Sequence, residues 1–184
     1  MRVKGIIFTA FIEMVENTFS PEMADDIILA SDLPSGGSYS GVGTYDHAEI
    51  IQLVSQLSQR TNTPIPDLVR AFGNYLFDDF TVRFSQFINE HESAFDFLKS
   101  VHSYIHIEVR KLYPEADFPL LTYEEPSANV LEIHYDSTRP FADLAEGMIA
   151  GCIAHFKENI EVVREDATAE QGQSAKFTLT NVSA

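Results

Sequence analysis

Two histidines four residues apart, His102 and His106, are the side chains best suited to metal chemistry. On an α-helix that spacing puts both rings on roughly one face. Neutral imidazole is the commonest protein ligand for transition metals. No third ligand is obvious nearby, since Glu108 points to a different helix face, so the pair is also readable as surface or core histidines. A second group is Tyr135-Asp136-Ser137-Thr138-Arg139-Pro140. In an extended strand, residues two apart share a face, so Tyr135, Ser137 and Arg139 would present two hydroxyls and a guanidinium together. Pro140 biases Arg139 toward extended backbone and prolongs the alternation. Such a row suits a carboxylate or phosphate, which Arg binds bidentately. A solvated strand face carrying a surface Arg would look the same. A third group is apolar: Phe8, Phe11, Phe72, Phe77, Phe80, Leu144 and Met148. Taken alone it reads as core. Together, one imidazole, an apolar slot and an anion clamp are what a flat apolar metal cofactor with carboxylate arms requires.

The elements that must position these groups are helical first and extended later. Ile6, Ile7, Ala10, Met14 and Val15 keep helical spacing, and Ser20-Pro21 closes that segment. A short helix is predicted from Pro21 to Leu33. Pro34 to Thr44 is the most turn-rich stretch and reads as a loop and candidate subdomain boundary. Helices follow over Glu49 to Gln59 and Asp67 to Phe80. Gly73 inside the second costs about 1 kcal/mol against Ala, which marks a close approach by another element. A long helix is predicted from Ser93 to Leu112, ended by Pro114. The period then changes to two. Leu120 to Glu124 and Val130 to Tyr135 read as a hairpin, Ala142 to Lys157 as a helix, and Ile160 to Arg164 and Lys176 to Thr180 as two final strands. Helices followed by mostly antiparallel strands predict an α+β fold with about four strands.

The 184 residues point to one domain, which can bury about 70% of its unfolded surface. With 45% hydrophobic residues, 14 Phe and 7 Tyr, the chain is not disordered despite its charge. That charge is −16, from 12 basic and 28 acidic residues, which excludes nucleic acid and anionic membrane as partners. No apolar run approaches the roughly 18 residues of a membrane span. Met1 to Val15 resembles a secretory signal only weakly, because Glu13 and Glu16 interrupt it and no cleavage site follows. The single cysteine, Cys152, can form neither an internal disulfide nor a Cys-based zinc site, so a cytoplasmic location is expected.

These residues carry a family likeness. The chain resembles the H-NOX (haem nitric oxide/oxygen binding) domains, related to the haem domain of soluble guanylate cyclase. The likeness runs over nearly the whole chain. It includes Lys4-Gly5-Ile6-Ile7-Phe8, Ala71-Phe72-Gly73, Val101-His102-Ser103-Tyr104-Ile105-His106, Lys111-Leu112-Tyr113-Pro114 and Pro119. The family's Y-x-S-x-R signature stands as Tyr135, Ser137 and Arg139, followed by Ala145-Glu146-Gly147. The resemblance implies haem b, buried between an N-terminal helical subdomain (about 1–65) and a part (about 66–184) holding the haem-ligating helix and the sheet, within a single domain over 1–184. The family's proximal ligand lies seven residues before an aromatic–Pro pair, and His106 stands seven before Tyr113, so His106 rather than His102 is implied as the iron ligand. Tyr135, Ser137 and Arg139 would hold the haem propionates. Ile7 and Pro119 match positions that press on the porphyrin, and Phe80 and Met148 match the distal pocket.

Two departures shape the expected function. Oxygen-binding members carry a distal Tyr five residues after the signature Arg, and here Leu144 stands there. A ferrous–oxygen adduct needs a distal donor, whereas NO does not. The resemblance therefore implies a sensor of NO, also binding CO, that excludes O₂; an oxygen sensor or a non-catalytic binding module are the alternatives. Ligand binding would weaken or break the His106–iron bond and shift the helical part against the sheet. Glu165 to Ala175 lacks the cysteine cluster with which several bacterial members hold zinc, so no zinc is expected, and Cys152 reads as a core residue. No enzymatic activity is expected, because Leu144 and Phe80 offer no distal acid–base group. The signal would pass to a separate histidine kinase or cyclic-dinucleotide enzyme.

Overall fold

A computed structural model of the chain describes residues 2–112, 118–167 and 173–182. Helix α1 (Gly5–Thr18) follows the three-residue strand β1 (Arg2–Lys4), and α2 (Pro21–Leu29) starts at Ser20, whose hydroxyl accepts from the Met23 N–H at 3.2 Å. Strand β2 (Thr44–Asp46) pairs antiparallel with β1, joining segments 40 residues apart, Lys4 facing Thr44. Helix α3 (His47–Thr61) is capped by Asp46, which accepts from the Ala48 N–H, and ends at Asn62 in the left-handed region, φ 53°. Helix α4 (Ile65–Arg83) comes next, then the short α5 (Ser85–Ile88). Phe8, Phe11, Val15, Ile27, Leu53, Leu57 and Leu76 are fully or almost fully buried and make the core of this helical part. The turn-rich stretch before β2 folds back on α1: Tyr39 stacks on Phe8 at 4.5 Å, and the Gly5 N–H donates to the Gly43 carbonyl.

The second part is a four-stranded antiparallel sheet, ordered β3 (Leu120–Ser127), β4 (Val130–Ser137), β6 (Gln173–Asn181), β5 (Ile160–Ala167). On β4 the alternation is strict: Leu131, Ile133, Tyr135 and Ser137 are buried and their neighbours are not. Leu131, Phe177 and Leu179 are fully buried in a second core. Helix α8 (Ala142–Phe156) joins the two parts, packing on α4 along much of its length while Ala142 and Ile149 cover the sheet. The close approach expected at Gly73 is here. A Cβ on Gly73 would overlap the Leu144 carbonyl, and one on Gly147 would overlap the Arg70 carbonyl.

The expected architecture is therefore present, with all four strands of the sheet longer than expected, α2 ending at Leu29 rather than Leu33, and the short β1–β2 pair not foreseen. The helix predicted over Ser93–Leu112 differs in its middle. Helix α6 (Ala94–Ser100) passes into a π-helical turn over Val101–Ile105 before α7 (His106–Leu112). The His106 N–H donates to the Val101 carbonyl, five residues back rather than four. The expected end at Pro114 lies outside the described residues. No helix among them is long and apolar enough to cross a membrane.

Candidate functional site

His102 lies within the π turn and His106 directly after it. His102 is exposed, while His106 is turned inward and half-buried. Their ring centroids lie 6.2 Å apart with the planes at 80°, so they are neighbours but do not present one shared face. The His106 ring lies flat against Phe118, centroids 4.3 Å apart and planes 16° apart. Its Nδ1 is buried with no hydrogen-bond partner. Burial, helped by the positive fields of His102 and Arg110, pushes its pKa down to about 4. The ring is thus neutral near pH 7 with a ring nitrogen uncommitted, which is the state a metal ligand needs.

Strand β4 and the turn after it bring the Tyr135–Ser137–Arg139 row together as the two-residue spacing requires. Tyr135, Ser137 and Arg139 are all buried, at 3%, 8% and 6% exposure, while Asp136 and Thr138 face outward. The Ser137 hydroxyl accepts from the Arg139 N–H at 3.1 Å. The Arg139 guanidinium lies 5.9 Å from the Phe141 ring. Burial raises the Tyr135 pKa, opposed by its hydrogen bond with Ser137 and the charge of Arg139, so the phenol stays protonated. Two hydroxyls and a guanidinium in one row suit a carboxylate-bearing ligand.

The remaining expected residues come from separate elements. Ile7 lies on α1, Phe80 on α4, and Leu144 and Met148 on α8, and all four pack against the helical core while remaining only half-buried. Pro119 is half-buried just before β3. Apolar side chains that belong to the core yet keep open surface suit a flat apolar ligand better than water. Phe118 and Phe141 were not singled out from sequence. Phe118 backs His106 and also carries the Arg110 guanidinium at 5.6 Å from its ring, and Phe141 is the aromatic under Arg139. Adjacency to Pro119 and to the signature Arg is the signal that could have found them. Cys152 is fully buried between Phe77, Ile88, Ala94 and Phe97, and burial pushes its thiol pKa far up, which leaves it inert.

The inward imidazole, buried cation and half-open apolar residues fit haem. A model of the haem-NO-binding family matches residues 4–164. Among solved structures, the chain is similar to the Fe(II) unliganded H-NOX protein of K. algicida, with 34% identity over 99% of this chain and 98% of that one, TM-score 0.92. It is similar to an H-NOX protein from S. oneidensis in the Fe(II)NO state, with 25% identity over 98% and 100%, TM-score 0.90. It is also similar to the IWP-051-bound H-NOX of Shewanella woodyi in the Fe(II)CO state, with 38% identity over 98% and 95%, TM-score 0.83. No curated protein matches. Fold and likeness together define a haem-based gas-sensor domain, a class of sensor modules that are generally not catalysts. The chain belongs to the haem-NO-binding, or H-NOX, family.

Proposed function

We propose that this protein senses NO at ferrous haem b, also binds CO, and discriminates against O₂. When bound, the haem supplies a ferrous iron with one coordination position for a diatomic gas. His106 would hold that iron, with Phe118 against its ring. Tyr135, Ser137 and Arg139 would hold the propionates. Ile7 and Pro119 would press on the ring, and Phe80, Leu144 and Met148 would line the gas side. The solved relatives with NO in the S. oneidensis protein and CO in the Shewanella woodyi protein support the choice of gases.

The observation that carries the selectivity is the apolar character of Phe80, Leu144 and Met148. The tyrosines packed in the same cluster are held by other partners. Tyr39 donates to Glu49 at 3.0 Å, Tyr45 accepts from the Ser40 N–H at 2.8 Å, and Tyr75 accepts from Asn17 at 3.1 Å. A polar ferrous–oxygen adduct would find no donor in Phe80, Leu144 or Met148, while NO and CO need none.

Release of His106 would free the α6–α7 segment to repack, and the N-terminal helical part would shift against the sheet part. A gas shifts this equilibrium only by its differential affinity for the two arrangements, and the tie through His106 supplies that difference. The output passes to a separate cytoplasmic protein, a histidine kinase or cyclic-dinucleotide enzyme, and the domain is not itself an enzyme. The test is the absorption spectrum of the reduced protein, taken anaerobically, under air and with NO. A five-coordinate ferrous spectrum unchanged by air and shifted by NO is expected. A stable oxygen complex would make the protein an oxygen sensor, and no haem band after reconstitution would remove the reading altogether.

A further inference from the structure

Beside the crossing of α4 and α8, two arginines share two carboxylates. Asp143 Oδ1 accepts from an Arg70 terminal nitrogen at 3.1 Å and from an Arg164 terminal nitrogen at 2.7 Å. Glu146 Oε2 accepts from the same Arg164 nitrogen at 2.9 Å and lies 3.7 Å from Arg70. Arg164 also grips Asp166 at 2.7 Å, and Arg70 pairs with Asp67. Only 13% of the Arg164 side chain and 21% of that of Asp143 is exposed, so solvent screens this one pair less than an ordinary surface pair. Burial disfavours the Arg164 charge, but its bonds to Glu146, Asp143 and Asp166 outweigh that and hold its pKa up.

The network touches three elements at one place. Arg70 belongs to α4, whose Leu68, Phe72 and Leu76 are in the helical core. Arg164 belongs to β5, part of the sheet. Asp143 and Glu146 sit in the first turns of α8, and between and just after them stand Leu144 and Met148. The α4–α8 crossing itself is glycine on glycine, Gly73 against Gly147, so it lacks side-chain ridges that would resist sliding or rotation. We infer that the Asp143–Glu146 pair is a positioning joint. It pins the distal stretch of α8 to α4 on one side and to the sheet on the other, and so sets the cost of moving the two parts relative to each other. The gas-linked consequence rests on the sensor reading; the joint itself does not.

The test compares Arg70→Gln and Glu146→Gln with Arg83→Gln in the full-length, haem-loaded protein. Arg83 bonds Asp79 at 2.6 Å and Glu13 at 3.2 Å, an ionic cluster lying within the helical part. Loosening the joint should change the CO dissociation rate by about threefold to thirtyfold, the span typical of mutations that modulate coupling. Arg83→Gln should change it less than about twofold, and Arg70→Lys should restore most of the wild-type rate. Equal rates for all variants would overturn the joint. If the wild type takes up neither haem nor CO, the sensor reading fails and the joint is judged by hydrogen exchange alone. Amides 144–150 should then exchange about threefold faster or more in Arg70→Gln and Glu146→Gln than in Arg83→Gln, and unchanged exchange would overturn it.

Discussion

At His106 the protein keeps an imidazole neutral where water is largely excluded, with Phe118 against one ring face and the uncommitted Nδ1 buried. His102 is exposed and lacks that shelter. His106→Gly should therefore lose the five-coordinate ferrous spectrum and recover it when imidazole is added, whereas His102→Gly should keep the wild-type spectrum. The reverse pattern in reduced-protein absorption would move the ligand to His102. Much of this was legible from sequence. Tyr135, Ser137 and Arg139 were readable as one row because strand geometry is local and the period is two. The shelter given by Phe118 was not, because it depends on a chain segment that returns from beyond α7.

At the scale of elements, the main surprise is the π turn over Val101–Ile105. Apolar spacing predicted a continuous helix there, and a one-residue change in hydrogen-bond reach leaves almost no trace in such a pattern. It holds the exposed His102 and ends at the half-buried His106, whose N–H closes it. The α4–α8 crossing is the opposite case, since Gly73 signalled a close approach although its partner, Gly147, was not identifiable. Gly147→Ala would drive a methyl into the Arg70 carbonyl, a backbone atom that cannot swing aside. We expect a loss of about 1–3 kcal/mol in unfolding free energy, read by denaturant titration. A variant as stable as wild type would show that the two helices separate there at little cost.

At the scale of the whole molecule, the −16 charge has a consequence for the output. A partner that recognises this protein should present a basic face, and their association should weaken as salt rises. Measured by titration calorimetry against the proposed histidine kinase or cyclic-dinucleotide enzyme between about 50 and 500 mM salt, an affinity that does not fall would remove charge from the recognition. The amino-acid sequence by itself determined the α+β order of elements, the inward row on β4, the apolar position at Leu144 and the excess of acid. These follow from periodicities and residue types that act over a few neighbours. The tertiary structure alone decided which histidine faces inward, which aromatics back Arg139 and His106, and how Arg70 and Arg164 come to share Asp143 across α4, α8 and β5. It alone also joined β1 to β2 across 40 residues. Those contacts link segments far apart in the chain, and three-residue strands or single ion pairs carry too little local free energy to announce themselves before the core has formed.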